Sequence, residues 1–285
     1  MQRTTVFLAL VLSTCACAST AVSSSAMSRN DGQAAIQPAS TTAALQATID
    51  APNRDAASRA RDRYRHPLQT LQFFGVQPNQ TIIEITPGGG WYSEILAPYL
   101  NASGHYIGAV PTAAADSAGG RRNTALRDKL TGNPDTANAA LIELDAKAPA
   151  LAVGTADVVL TFRNVHNWVA AGNTDAYFRA FFAALRPGGV LGVVDHRAKP
   201  GTDLDTMKSS GYLTEALVTE YATDAGFVLE ASSELNANPK DDANHPNGVW
   251  TLPPSNSHDA ADNAKYQAIG ESDRMTLRFL KPAPQ

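Results

Sequence analysis

Cysteine is almost missing from this chain. Of 285 residues only Cys15 and Cys17 are cysteine, both within the first 18. The rest of the chain can hold no internal disulfide and no cysteine-ligated zinc. Runs of positive charge are missing as well. Lys and Arg number 23 against 27 Asp and Glu, a formal net charge of −4, which argues against nucleic acid or an anionic membrane surface as the main partner. The apolar run Val6–Leu12 is too short to span a bilayer. There is no Gly-x-Ser-x-Gly elbow and no evident Ser-His-Asp order, so nothing points to a serine hydrolase. What remains is a chain 44% hydrophobic and 18% charged, suited to one globular domain with a sizeable core plus extensions.

Residues 1–18 read as an export signal. Arg3 gives the positive start, Val6–Leu12 the apolar core, and Ala16-Cys17-Ala18 a small-residue cleavage site. A lipoprotein signal competes with simple secretion, because Leu12-Ser13-Thr14-Cys15 resembles a lipobox. The protein is expected to be exported: periplasmic, or tethered to a bacterial membrane through a lipidated N-terminal cysteine. Residues 19–51 are rich in Ala, Ser, Thr and Gln and lack aromatics, so they read as a flexible tether. The folded domain is expected over 52–285.

The densest signal in that domain is Thr81–Trp91. Ile82, Ile83 and Ile85 read as a buried parallel strand with Glu84 near its carboxyl end. Gly88, Gly89 and Gly90 follow as a turn where backbone meets ligand without Cβ obstruction, and Trp91–Leu100 reads as a helix. Strand, acid, glycine turn and helix in succession place a nucleotide-like ligand at the carboxyl ends of the strands of an open α/β sheet. Downstream, strands near His105–Val110, Ala139–Leu144, Val158–Phe162 and Val190–Asp195 alternate with helices, which predicts a parallel sheet covered on both faces. Phe227–Glu234 and Met275–Leu280 have no evident helix between them and are expected to pair antiparallel at the sheet edge. Their connection, 236–273, is rich in Asn, Asp, Pro and His. It is expected to lie over the ligand edge as a lid-like insertion, with Trp250 and Leu252 docked. Ahead of the first strand, Asn53–Tyr64 reads as one arginine-rich helix with a solvated, ion-paired face.

These motifs resemble the class I S-adenosylmethionine-dependent methyltransferases, over roughly Pro52 to Pro282. Ile82 to Gly90 stands where that family has its glycine-rich first motif. Leu185-Arg186-Pro187-Gly188-Gly189 resembles the turn into its fifth strand, and Asp157 to His166 its fourth strand. Pro87 to Tyr92, Phe162 to His166 and Asp195 to Arg197 are similar to an exported group of bacterial methyltransferases within it. The resemblance implies a doubly wound, seven-stranded, mostly parallel sheet with an antiparallel last strand, the Rossmann-like methyltransferase fold. It implies S-adenosylmethionine as cofactor, held by Glu84, Thr86, Pro87, Gly88, Gly89, Gly90, Asp145 and Asn164, and a small-molecule acceptor. Two departures stand out. Thr86 replaces the first glycine, and Val110-Pro111 stands where the second strand should end in a ribose-binding acid.

Several side chains carry two readings each. His166 is the candidate base, or it packs on Trp168 and closes the pocket. Trp168, His196 and Arg197 are candidates for the acceptor site, although Arg197 equally suits an ion pair fastening the next loop. Asp195 and His196, adjacent on a strand, point to opposite faces and are not expected to pair with each other. Asn164 faces the ligand or bonds its own turn. Trp91 flanks a planar ring or joins the core. Asp241, Asp242 and His245, and His258, Asp259 and Asp262, match no standard metal spacing and read as solvated loop residues, so no metal is expected. Two other functions stay open: a binding protein that keeps the fold without transferring methyl groups, and an NAD-dependent oxidoreductase. The latter lacks the Gly-x-Gly-x-x-Gly spacing, since Tyr92 and Ser93 follow the glycines.

Overall fold

A computed structural model describes residues 39–283. The expected signal at 1–18, its two cysteines and the first part of the tether lie outside the described residues. No helix among the described residues is long and apolar enough to cross a membrane.

Seven strands form one sheet: β1 (Thr81–Ile85), β2 (His105–Pro111), β3 (Ala139–Leu144), β4 (Ala156–Phe162), β5 (Leu185–His196), β6 (Val228–Ser233) and β7 (Arg274–Leu280). Their order is β3-β2-β1-β4-β5-β7-β6. The pairs from β3 across to β5 are parallel, while β7 runs antiparallel to both β5 and β6. This is the expected doubly wound architecture. The chain reverses direction across the sheet between β1 and β4, so the switch point that favours ligand binding lies at their carboxyl ends.

Alternation along β1 explains why both faces are covered. Ile82 packs with Leu71, Phe74, Ile95 and Leu96 on one side. Ile83 and Ile85 pack with Phe178, Phe181 and Leu191 on the other. The helices supplying these layers are α1 (Ala39–Ile49), α2 (Ala56–Arg59), α3 (Asp62–Arg65), α4 (Pro67–Phe73), α5 (Ser93–Leu100), α6 (Ala118–Thr131), α7 (Val165–Ala171), α8 (Thr174–Ala184), α9 (Leu204–Ser210), α10 (Glu215–Asp224) and α11 (Asn263–Ile269).

Three expectations need correction. The tether does not run to residue 51, because α1 is folded and packs against α4 and α5. Leu45 and Ile49, four apart on one helical face, are buried there, an apolar pair hidden in an otherwise small and polar composition. Asn53–Tyr64 is not one solvated helix. It breaks into α2 and α3, and its flanking arginines turn inward: Arg54 donates to Ile49 O (2.7 Å) and Asp62 (2.8 Å), and Arg65 to Glu271 (3.3 Å). The insertion 236–273, which holds α11 and short 3-10 turns, docks through only one of the two residues expected to anchor it. Leu252 and Val249 are buried in it, and Trp250 stays 38% exposed.

Candidate functional site

The β1 glycine turn is built on constrained backbone. Thr86 lies in the left-handed region (φ 51°), Gly88 at 64° and Gly90 at 84°. A β-branched residue there is a strained choice. It is held by the hydrogen bond from Thr86 N to Ala109 O, 2.7 Å. At Gly90 the positive φ favours glycine, and a Cβ there would fall 2.8 Å from Leu126 Cδ1. Beyond Gly88 and Gly89 there is open space, with no heavy atom within 4 Å of where a Cβ would stand. Pro87 leads into this turn, and its carbonyl accepts from Gly90 N at 3.1 Å. The buried Thr86 hydroxyl has no hydrogen-bond partner.

Glu84 is 2% exposed, and its Oε2 accepts from Ser93 Oγ (3.0 Å) and Tyr106 OH (2.6 Å). Burial pushes its carboxyl up to about 7 against the pull of those two bonds and of Arg65. Asp145 is exposed past the end of β3 and accepts from Lys147 N at 2.8 Å. Val110 and Pro111 close β2 without an acid. Asn164 donates to Ile85 O (2.9 Å) and Thr161 Oγ1 (3.1 Å). Its side chain therefore ties the end of β4 to the end of β1 across the switch point.

His166 and Asp195 form a pair that adjacency in sequence did not reveal. Asp195 is fully buried at the end of β5. It accepts from His166 Nδ1 (2.9 Å) and from the backbone N–H groups of His166 (3.2 Å) and His196 (2.8 Å). In a neutral imidazole that faces a carboxylate, Nδ1 is the donor and Nε2 the acceptor. His166 lies in the first turn of α7, the helix that follows β4, which is how the sheet edge brings these elements together. His196 does not bond Asp195 through its ring. Its Nδ1 meets Ser272 Oγ at 2.5 Å, and its ring centroid lies 5.0 Å from that of His166. Burial, then His166, Arg163, Arg274 and Arg65, hold His196 well below its usual range, so it stays neutral. The Trp250 ring stands edge-on at 6.1 Å from His166 and covers it from the insertion.

Trp168 and Trp91 take their packing roles. Trp168 stacks on Tyr177 at 4.2 Å within the core. Trp91 donates to Ser58 O and lies under the guanidinium groups of Arg65 and Arg54. Arg197 is bound by carboxylates on three sides, Asp273 (2.9 Å), Glu215 (3.0 Å) and Glu234 (2.8 Å). Burial disfavours its charge, but these carboxylates more than offset that and raise it. It fastens the loop and is not available to an acidic acceptor. It lines a groove of about 750 Å³ together with Glu215, Glu234, Asp241, Asp242 and Asp273.

What sequence reasoning missed is a second charged cluster. Glu271, 3% exposed, takes Arg61 (2.6 Å), Arg65 (3.3 Å) and Arg274 (3.1 Å), with Arg163 also acting on it. Burial opposes its charge, yet the arginines hold its carboxyl down at about 2. Arg163 belongs to the same Phe162–His166 stretch that supplied Asn164 and His166, and its left-handed backbone (φ 62°) was the available signal only in three dimensions. Beside the cluster Tyr92 stacks on Phe162 at 3.6 Å.

The loop acids also need correction. Asp241 and His245 are not solvated: Asp241 Oδ1 lies 2.8 Å from His245 Nε2, while its Oδ2 accepts from Tyr212 OH (2.9 Å) and Asp273 N (2.7 Å). They anchor the insertion. The donor atoms of His166, Asp195 and His196 lie within 4.8 Å of one another. The neighbouring guanidinium groups work against a cation there.

No family model matches the chain, and no curated protein matches it in sequence. Solved structures match its fold. A SAM-dependent methyltransferase from Aquifex aeolicus is 12% identical, with a TM-score of 0.53 over 84% of this chain and 98% of that one. The cyclase SpnF is 13% identical, with a TM-score of 0.56 over 86% and 93%. CrArsM, an arsenic(III) S-adenosylmethionine methyltransferase from Chlamydomonas reinhardtii, is 11% identical, with a TM-score of 0.50 over 84% and 73%. At such identities the likeness is one of fold, and the fold is that of class I methyltransferases.

Proposed function

We propose that this chain is an exported S-adenosylmethionine-dependent methyltransferase acting on a small-molecule acceptor. The observation that carries the reading is the buried His166–Asp195 pair at the carboxyl edge of β4 and β5, beside the glycine turn of β1. The turn fits the donor in two respects: open space beyond Gly88 and Gly89, and the unpartnered Thr86 hydroxyl. Glu84, Thr86, Pro87, Gly88, Gly89, Gly90, Asp145 and Asn164 would hold it. When bound, S-adenosylmethionine supplies a methyl group already activated on a sulfonium, so the protein must mainly align the acceptor and exclude water.

In this reading His166 Nε2 takes the proton of the acceptor nucleophile. Asp195 fixes the ring orientation and stabilises the imidazolium that forms. His196, held neutral, adds no competing charge. Trp250 shields the base from bulk water and must swing away to admit the acceptor. Release of the demethylated product over a panel of hydroxy acids and phenols tests this assignment. His166→Ala is expected to lower turnover by roughly 10²–10⁴-fold with donor affinity unchanged. Full turnover in the variant removes His166 from the chemistry.

A second reading has its own support. Glu84 is already satisfied by Ser93 and Tyr106, and β2 ends in Val110-Pro111 rather than an acid. A binding protein that keeps the fold but transfers nothing accommodates both facts. The name of the cyclase SpnF among the matches illustrates that this fold does not dictate the reaction.

A further inference from the structure

We propose that the arginine cluster at the switch-point edge binds a compact oxyanion, a carboxylate or phosphate carried by a small-molecule ligand, with Arg65, Arg163 and Arg274 as its partners.

The charge count motivates this. Four guanidinium groups, from Arg61, Arg65, Arg163 and Arg274, converge on the single carboxylate of Glu271. The nearby Asp195 is already taken by His166. Arg65 is 4% exposed, and its Nη2 is buried without a hydrogen-bond partner, as is Nη2 of Arg61. Among the described residues the Arg163 side chain makes no hydrogen bond or ion pair, although it is partly buried. Burying several like charges with unused donors is costly unless a counter-charge completes the site. Planar guanidinium donors match the oxygens of a carboxylate or phosphate in paired hydrogen bonds. In support, burial and like-charged neighbours bring Arg65 down to about 9 and Arg163 to about 10, the strain that an anion would relieve.

The space has two compartments. Arg65, Arg163, Arg274, Tyr92, Phe162 and Asn236 line an inner void of about 10 Å³, room for a single water. Asn236 and Arg274 also line an outer pocket of about 260 Å³, with Arg63, His66 and Lys240 among its walls. The body of the ligand fits the outer pocket, and its anionic head reaches the inner arginines. Arg163, unfastened by any side chain, is the wall that gives way. Arg163 and Arg65 also act electrostatically on His196, so the head would lie close to the His166–Asp195 pair. An acidic acceptor rests on the methyl-transfer reading, whereas the anion site itself does not.

Calorimetry and thermal unfolding of the full chain test the site, using inorganic phosphate, malonate and chloride at matched ionic strength. One or both oxyanions should bind at one per chain and raise Tm by roughly 3 °C or more beyond chloride. A response to phosphate alone identifies a phosphorylated ligand, and a response to malonate a carboxylate. Arg163→Gln breaks no side-chain hydrogen bond or ion pair and should fold with equal or higher Tm in chloride, yet lose at least about tenfold in oxyanion affinity. Phosphate stabilises proteins nonspecifically, so the difference between wild type and variant is the readout. Equal affinity in the two proteins, or no oxyanion response beyond chloride, overturns the site. S-adenosylmethionine titrated in parallel separates the claims. Donor binding without an oxyanion response refutes this inference alone, and the reverse refutes the methyltransferase reading alone.

Discussion

Glu84 should make this protein less stable as pH rises through neutrality, and Glu84→Gln should abolish that loss. The carboxyl is 2% exposed and its pKa is raised from 4.5 to about 7, first by burial. A carboxyl raised on folding favours the folded state fully below 4.5, and that contribution is lost as pH rises through 7. The gap between the two values corresponds to about 3 kcal/mol. Glutamine mimics the protonated form, and its carbonyl can still accept from Ser93 and Tyr106. Wild type and variant should therefore be equally stable near pH 4.5 and diverge to about 3 kcal/mol by pH 8.5, roughly 6–12 °C in Tm for a domain of this size. Thermal unfolding at fixed ionic strength across that range measures it. Glu271 has the opposite sign, but it is unchanged in the variant and cancels in the comparison. Parallel curves for the two proteins would show that the buried carboxyl is not the source of the pH dependence.

Two further substitutions probe the same edge. Thr86→Gly should relieve the left-handed strain at φ 51° and stabilise the chain by about 1 kcal/mol after the entropic cost of glycine; a loss of stability in urea unfolding would mean that the threonine is not strained. Glu271→Gln leaves four arginines without their carboxylate and should destabilise by roughly 3–5 kcal/mol at pH 7. The wild-type contribution of Glu271 is present above 4.5 and fades as pH falls toward 2, so the two proteins should converge in acid. Equal stability at pH 7 would refute the cluster's dependence on this one acid.

The strands were legible because most are short β-branched or apolar runs closed by glycine, proline or an acid. Those signals survive without any tertiary information. The glycine turn after β1 was legible for the same reason. α1 was not, because two apolar residues four apart are too weak a stripe against a background of Ala, Ser and Thr. The pairing of His166 with Asp195 was also hidden. It joins a residue of the first turn of α7 to one at the end of β5, and strand alternation at Asp195–His196 says nothing about a partner from α7. The burial of Arg61 and Arg65 was not legible because an arginine's burial depends on partners elsewhere, here Glu271, about two hundred residues away in the chain. Arg197 showed the converse: a cation beside the site looked available until three carboxylates from separate elements were found on it.

Donor binding is the claim on which the functional account depends. Calorimetric titration of the full chain with S-adenosylmethionine, its demethylated product and NAD tests it most directly. The account predicts one site per chain for the donor and for the product, weakened by about 1.5–3 kcal/mol in Glu84→Ala, and no heat from NAD. A folded wild-type protein that binds neither the donor nor its product would contradict it.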